Sequence, residues 1–143
     1  MIKEASVEIV PKNKVITSPA QIHHLDMNQC TLADTEFEAE FELTVAQNPE
    51  ETSSNREITA IAGYFDTFFD DPVLKNPVMF STGPDSKPTH WKQTVFYLHK
   101  PLPVSSGQTV QGKISVIRPT QDIRALRVKL SIGCYGEQLF LVE

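Results

Sequence analysis

Ten consecutive residues constrain this chain more than any other feature. From Glu36 to Val45, the apolar Phe37, Ala39, Phe41, Leu43 and Val45 alternate with Glu36, Glu38, Glu40, Glu42 and Thr44. A period of two puts one set on each face of a β-strand, one face buried and the other wet. A helix would scatter both sets around its circumference and bury glutamates beside phenylalanines. The pattern predicts a strand over residues 36–45, with Phe37, Phe41 and Val45 buried and the glutamates in water. Such a strand needs a sheet around it.

Other segments supply one. Residues 57–69 (EITAIAGYFDTFF) are apolar on both faces, which predicts a long central strand covered on both sides. Gly63 within it marks a bulge or a close backbone approach. Residues 92–99, 109–118 and 124–132 read as further strands, and 4–10, 20–26, 78–81 and 137–142 as shorter ones. Turn signals stand between them at Asn48-Pro49, Asp71-Pro72, Asn76-Pro77, Gly83-Pro84, Lys100-Pro101, Ser106-Gly107 and Arg118-Pro119. Residues 46–57 (AQNPEETSSNRE) are the most polar stretch, expected as an exposed hairpin loop. No segment carries a sustained helical stripe. Frequent strands broken by turns predict an all-β domain, a barrel or a sandwich, in a chain of one-domain length (143 residues).

Charge and cysteine usage narrow the function. Thirteen basic against 18 acidic residues give a net charge of −5. Nucleic acid is therefore not the expected main partner, because phosphate binding needs a basic surface. Cationic partners are allowed. No stretch approaches the roughly 20 apolar residues that span a bilayer as a helix, and Met1-Ile2-Lys3-Glu4 opens straight into strand-like sequence, without a signal peptide. Cys30 and Cys134 lie far apart in no metal-like spacing, consistent with a reducing cytosolic or nuclear setting. Between Asp34 and Glu57 the acidic residues are Asp34, Glu36, Glu38, Glu40, Glu42, Glu50, Glu51 and Glu57, against Arg56 alone. They could draw cationic partners. The simpler reading is a solvated strand face that discourages edge pairing.

Self-sufficient catalysis is not visible. No glycine-rich phosphate or nucleotide loop precedes a helix. His23 and His24 are adjacent, so on a strand they would point to opposite faces and could not share a metal. No general base stands beside either cysteine. One segment does stand out: Phe80 to Thr94, FSTGPDSKPTHWKQT. Two prolines and a glycine hold a tight loop that ends on Thr89-His90-Trp91. Either the loop presents His90 and Trp91 at a binding edge, or Trp91 begins the next strand and plugs one end of a barrel.

This segment resembles a hallmark of the protein arginine methyltransferases. Phe80-Ser81-Thr82-Gly83-Pro84 and Thr89-His90-Trp91-Lys92-Gln93 match the family's loop, Ala62-Gly63-Tyr64-Phe65-Asp66 its preceding strand, and Ser106-Gly107 with Gly112 its next hairpin. Within the family, residues 59–66 (TAIAGYFD) with Gly83 look most like the methyltransferase 3 branch, with the methyltransferase 1 branch close behind. The resemblance implies a C-terminal β-barrel domain over residues 1–143. The S-adenosylmethionine domain, its paired glutamates and the dimerisation arm would lie outside this chain.

The resemblance further implies a type I enzyme, homodimeric when whole. It would transfer methyl groups from S-adenosylmethionine to arginine- and glycine-rich proteins, giving mono- and asymmetric dimethylarginine. This chain alone would bind no cofactor and be inactive. His90 would be the catalytic residue, facing an acidic group of the donor domain. Trp91 would wall the arginine stem, and Thr89 would fix the substrate-side loop. A β-barrel module binding basic peptides without catalysis is the alternative, and a purely structural domain a third reading.

Overall fold

The computed structural model describes residues 1–47 and 56–143, so the polar loop expected over 46–57, with Asn48-Pro49, Glu50 and Glu51, lies largely outside the described residues. The described residues form ten strands and no α-helix, with 3-10 turns at Lys12–Lys14 and Leu32–Thr35. The strands are β1 (Ile2–Glu4), β2 (Ser6–Glu8), β3 (Phe37–Thr44), β4 (Arg56–Gly63), β5 (Asp66–Phe69), β6 (Val78–Ser81), β7 (Gln93–Val104), β8 (Thr109–Ile117), β9 (Leu126–Ile132) and β10 (Tyr135–Val142). A five-stranded sheet runs β1-β10-β9-β8-β3, a three-stranded sheet runs β2-β7-β4, and β5 pairs with β6 alone. The all-β, barrel-like expectation holds.

The glutamate strand faces the way its alternation predicts, but of the three residues expected to be buried only Val45 is fully so. In β3, Leu43 is buried, as is Val45 just beyond it, while Phe37, Ala39 and Phe41 are half-buried. Glu36, Glu38, Glu40 and Glu42 are exposed. The glutamates find partners in and beyond β8. Lys113 Nζ lies 2.6 Å from Glu38, Gln111 donates to Glu42 at 2.9 Å, and the Arg118 N–H donates to Glu36 at 2.7 Å. The hydrogen bond from Lys113 to Glu38, then the charge of Glu38, raises the Lys113 pKa. The acidic stripe is thus a solvated sheet face on which Glu36, Glu38 and Glu42 have partners.

Between the sheets lies one core. Phe96, Leu98, Leu102 and Val104 of β7 and Ile58 of β4 meet Val110, Ile114 and Val116 of β8, Val128, Leu130 and Ile132 of β9, and Phe140 of β10. The Phe96 and Phe140 rings cross edge to face at 5.2 Å. The chain changes sheets at Ala5, between β1, which runs parallel to β10, and β2, which runs antiparallel to β7. Because β2 covers only Gln93–Val95, the far half of β7 has an open side, where Pro101 and Pro103 are tolerated. Side chains bridge that seam: buried Gln138 accepts the His99 N–H at 2.7 Å, and Lys3 Nζ reaches the Tyr97 and Leu98 carbonyls.

Several expectations are corrected. Residues 57–69 are two strands, broken at Tyr64-Phe65. β4 is an edge strand, and Phe68 and Phe69 of β5 are more than half exposed. The irregularity falls between Ile58 and Ala60 rather than at Gly63, where an added Cβ would make only ordinary contacts. Residues 20–26 form no strand. Ala20 and Ile22 pack on the core, and the chain then turns at Asp26, whose carbonyl accepts the Cys30 N–H at 2.7 Å. His23 is therefore not on a strand: its ring stacks on Phe37 at 4.1 Å and its Nε2 bonds the Asp34 carbonyl at 2.7 Å. Hydrogen bonds from the Thr31 backbone and then its hydroxyl lower the Asp34 pKa below its ordinary 3.8. Residues 4–10 hold the last residue of β1 and the whole of β2, which lie in different sheets.

Candidate functional site

The segment from Phe80 to Thr94 begins in β6 and ends in β7, and the chemistry sits in the turn between. A hydrogen bond from the Lys92 N–H to the Thr89 carbonyl (3.2 Å) closes that turn. Lys92 has φ +56°, the one positive φ outside glycine among the described residues. Left-handed backbone costs a side-chain-bearing residue roughly 1–2 kcal/mol, so the surroundings must hold it in place.

Aromatic rings supply part of that hold. The Trp91 indole stacks on Phe80 at 5.8 Å and meets Phe65 edge-on at 5.6 Å. The His90 ring leans on Trp91 at 3.9 Å. Trp91 remains 47% exposed, and His90 is exposed. Trp91 therefore neither plugs the barrel nor begins a strand, since β7 starts at Gln93. Thr89 is half-buried, with its Oγ1 inaccessible and unpartnered. Of the three sequence-predicted site residues, His90 and Trp91 face outward side by side, and Thr89 lies beneath them.

Residues of the motif that the sequence reading gave no role complete the site. Thr82 and Gln93 are buried, and Gln93 donates to the Thr82 carbonyl at 2.6 Å. Their signal in the sequence is faint: a hydroxyl and an amide flanking the His-Trp turn at the ends of apolar strands. A Cβ on Gly83 would overlap the Tyr64 ring, so glycine lets the loop pass close over that tyrosine. Burial, then the charges of Asp66 and Asp85, raises the Tyr64 pKa. Among the described residues no group of three His, Cys, Asp or Glu side chains is arranged to hold a metal. The arrangement offers an imidazole able to bond or pair with a carboxylate, and an aromatic face able to take a cationic stem.

Residues 1–136 match the family model described as the arginine methyltransferase oligomerization subdomain. The chain belongs to the arginine methyltransferase family. Relatives within that family include protein arginine N-methyltransferase 1 of Saccharomyces cerevisiae, 33% identical over 92% of this chain and 36% of the relative. The probable protein arginine N-methyltransferase 1.2 of Arabidopsis thaliana is 34% identical over 95% of this chain and 35% of its own length. The chain thus spans about a third of these methyltransferases. A solved Trypanosoma brucei methyltransferase 1 enzyme–prozyme heterotetrameric complex with AdoHcy superposes with a TM-score of 0.86 at 28% identity, covering 98% of this chain and 44% of that one. Arabidopsis thaliana protein arginine methyltransferase 10 shares the fold, with a TM-score of 0.85 at 19% identity over 99% and 43% of the two chains. The methyltransferase 1 relatives do not support the resemblance to the methyltransferase 3 branch.

Proposed function

We propose that this chain is the substrate-side barrel of a type I protein arginine N-methyltransferase. Such an enzyme uses S-adenosylmethionine to form mono- and asymmetric dimethylarginine in arginine- and glycine-rich proteins. One observation carries the reading: the family's Thr89-His90-Trp91 motif forms a strained, ring-braced turn that faces His90 and half of Trp91 outward. A rigid turn with an outward imidazole serves a partner surface better than it serves this core.

The residues here do not fit the methyl donor. No glycine-rich loop opens a helix, and backbone groups already satisfy the buried Thr82, Gln93 and Gln138. The donor would be held outside this chain. A substrate guanidinium, with a pKa of roughly 12.5 or more, is a poor nucleophile until it is oriented. On this side of the slot Trp91 would flank the arginine stem, while His90 would pair with a carboxylate across the cleft and hold the domains in register. Assembly of the whole protein as a dimer or larger oligomer has support from the description of the matched subdomain. A cytosolic or nuclear setting is part of the proposal, resting on two cysteines far apart in sequence and in no metal-like spacing.

His90→Ala in the whole protein tests the reading. Turnover on a Gly-Arg-rich peptide should fall by about 10²-fold, the scale of an acid–base or positioning group, with donor affinity unchanged by calorimetry. His90→Gln, which keeps a hydrogen bond but carries no charge, should fall between the two. Full turnover in His90→Ala would remove His90 from the reaction.

A further inference from the structure

Beneath the His90–Trp91 turn lies a polar network in apolar surroundings. Gln93 is 3% exposed and Thr82 2% exposed. Burying an amide or a hydroxyl is unfavourable unless its polar atoms find partners, and both residues find them in backbone. Gln93 Oε1 accepts the Val10 N–H at 2.7 Å, and its Nε2 donates to the Thr82 carbonyl at 2.6 Å. One partner is a donor and the other an acceptor, which dictates how the amide points. Thr82 Oγ1 donates to the Phe65 carbonyl at 2.9 Å and accepts the Phe65 N–H at 3.1 Å.

These bonds close a circuit around the site. The Phe65 ring packs against Trp91 at 5.6 Å. Trp91 and Gln93 are separated only by Lys92, in its left-handed conformation. The tripeptide is therefore tied to Phe65 at both ends, by ring contact at Trp91 and through Thr82 at Gln93. Apolar packing tolerates sliding, whereas hydrogen bonds are directional. We infer that Gln93 and Thr82 are positioning residues, which set the direction in which His90 and Trp91 face outward. The catalytic consequence rests on the proposed function; the structural claim does not.

Trp91 is the sole tryptophan, so its fluorescence reports the turn directly. Thr82→Val keeps the side-chain shape without the hydroxyl, Thr82→Ser restores the hydroxyl, and Gln93→Met keeps the volume without either amide bond. Circular dichroism first establishes that each variant of this chain is folded. Thr82→Val and Gln93→Met should red-shift Trp91 emission and raise its acrylamide quenching, while Thr82→Ser stays like the parent. If Gln93→Met does not fold, the valine and serine pair decides. In the whole protein, Thr82→Val should lower turnover by about tenfold or more, since small misplacements are costly. That loss should add little to His90→Ala, because the two act as a unit. Unchanged emission in folded Thr82→Val would overturn the inference, leaving the network a means of satisfying buried backbone only. A parent protein that methylates no arginine would defeat the proposed function instead, with Trp91 emission still deciding this inference.

Discussion

Gly112 and Phe41 face one another across β8 and β3, and the phenylalanine ring lies over the glycine so closely that an added Cβ would collide with it. The glycine is there for space: a bare backbone lets an aromatic ring cover the neighbouring strand, an arrangement that helps set register. Gly136 of β10 has nothing within 4 Å of an added Cβ. Gly112→Ala should therefore cost about 1–3 kcal/mol through overpacking, whereas Gly136→Ala should stay within about 0.5 kcal/mol of the parent. Urea unfolding of the two variants checks this, and equal midpoints would mean that Phe41 gives way freely.

Strands of similar apolar content play different parts here. β9 alternates cleanly and presents Val128, Leu130 and Ile132 to the core, each 3% exposed or less. β5 and β6 are as apolar but pair only with each other, leaving Phe68 and Met79, opposite partners in the ribbon, 55% and 56% exposed. Leu130→Ala should lower stability by about 2–5 kcal/mol, because its cavity cannot fill with water. Replacing Phe68 and Met79 together with serine should cost less than about 1 kcal/mol, the value of one cross-strand pair. Thermal melts compare them directly, and a double variant that melts as low as Leu130→Ala would show that the ribbon belongs to the main core.

At the scale of the whole molecule, a chain built on β1 pairing with β10 joins its first strand to its last. Within the fold the buried Thr82, Gln93 and Gln138 side chains bond to backbone groups. A ligand bound at 100 times its dissociation constant raises stability by about 2.7 kcal/mol, so thermal shift is a sensitive probe of donor binding. S-adenosylmethionine should leave the melting of this chain unchanged and give a flat calorimetric titration. Micromolar affinity would overturn the division of labour proposed between this barrel and a separate donor domain.

What the sequence determined by itself was whatever depends on near neighbours. The alternation of Phe37 through Val45 with four glutamates dictates a strand and its inward face, because side-chain direction in a strand repeats every two residues. The Thr89-His90-Trp91 turn was legible because proline and glycine confine the backbone around it. Tertiary structure decided the rest. An apolar run such as 57–69 does not reveal whether both faces will be covered, since cover comes from residues far away in sequence. Here it is broken at Tyr64-Phe65, and its second half lies in a ribbon beside the main sheets. Residues 20–26 were strand-like in composition, but they form no strand: Ala20 and Ile22 pack on the core and the chain turns at Asp26. Gln93 and Thr82 could not be recognised as supports of the His90 site, because a buried amide is defined by its partners. Those partners, Val10 and Phe65, come from separate parts of the chain and meet only when the sheets close.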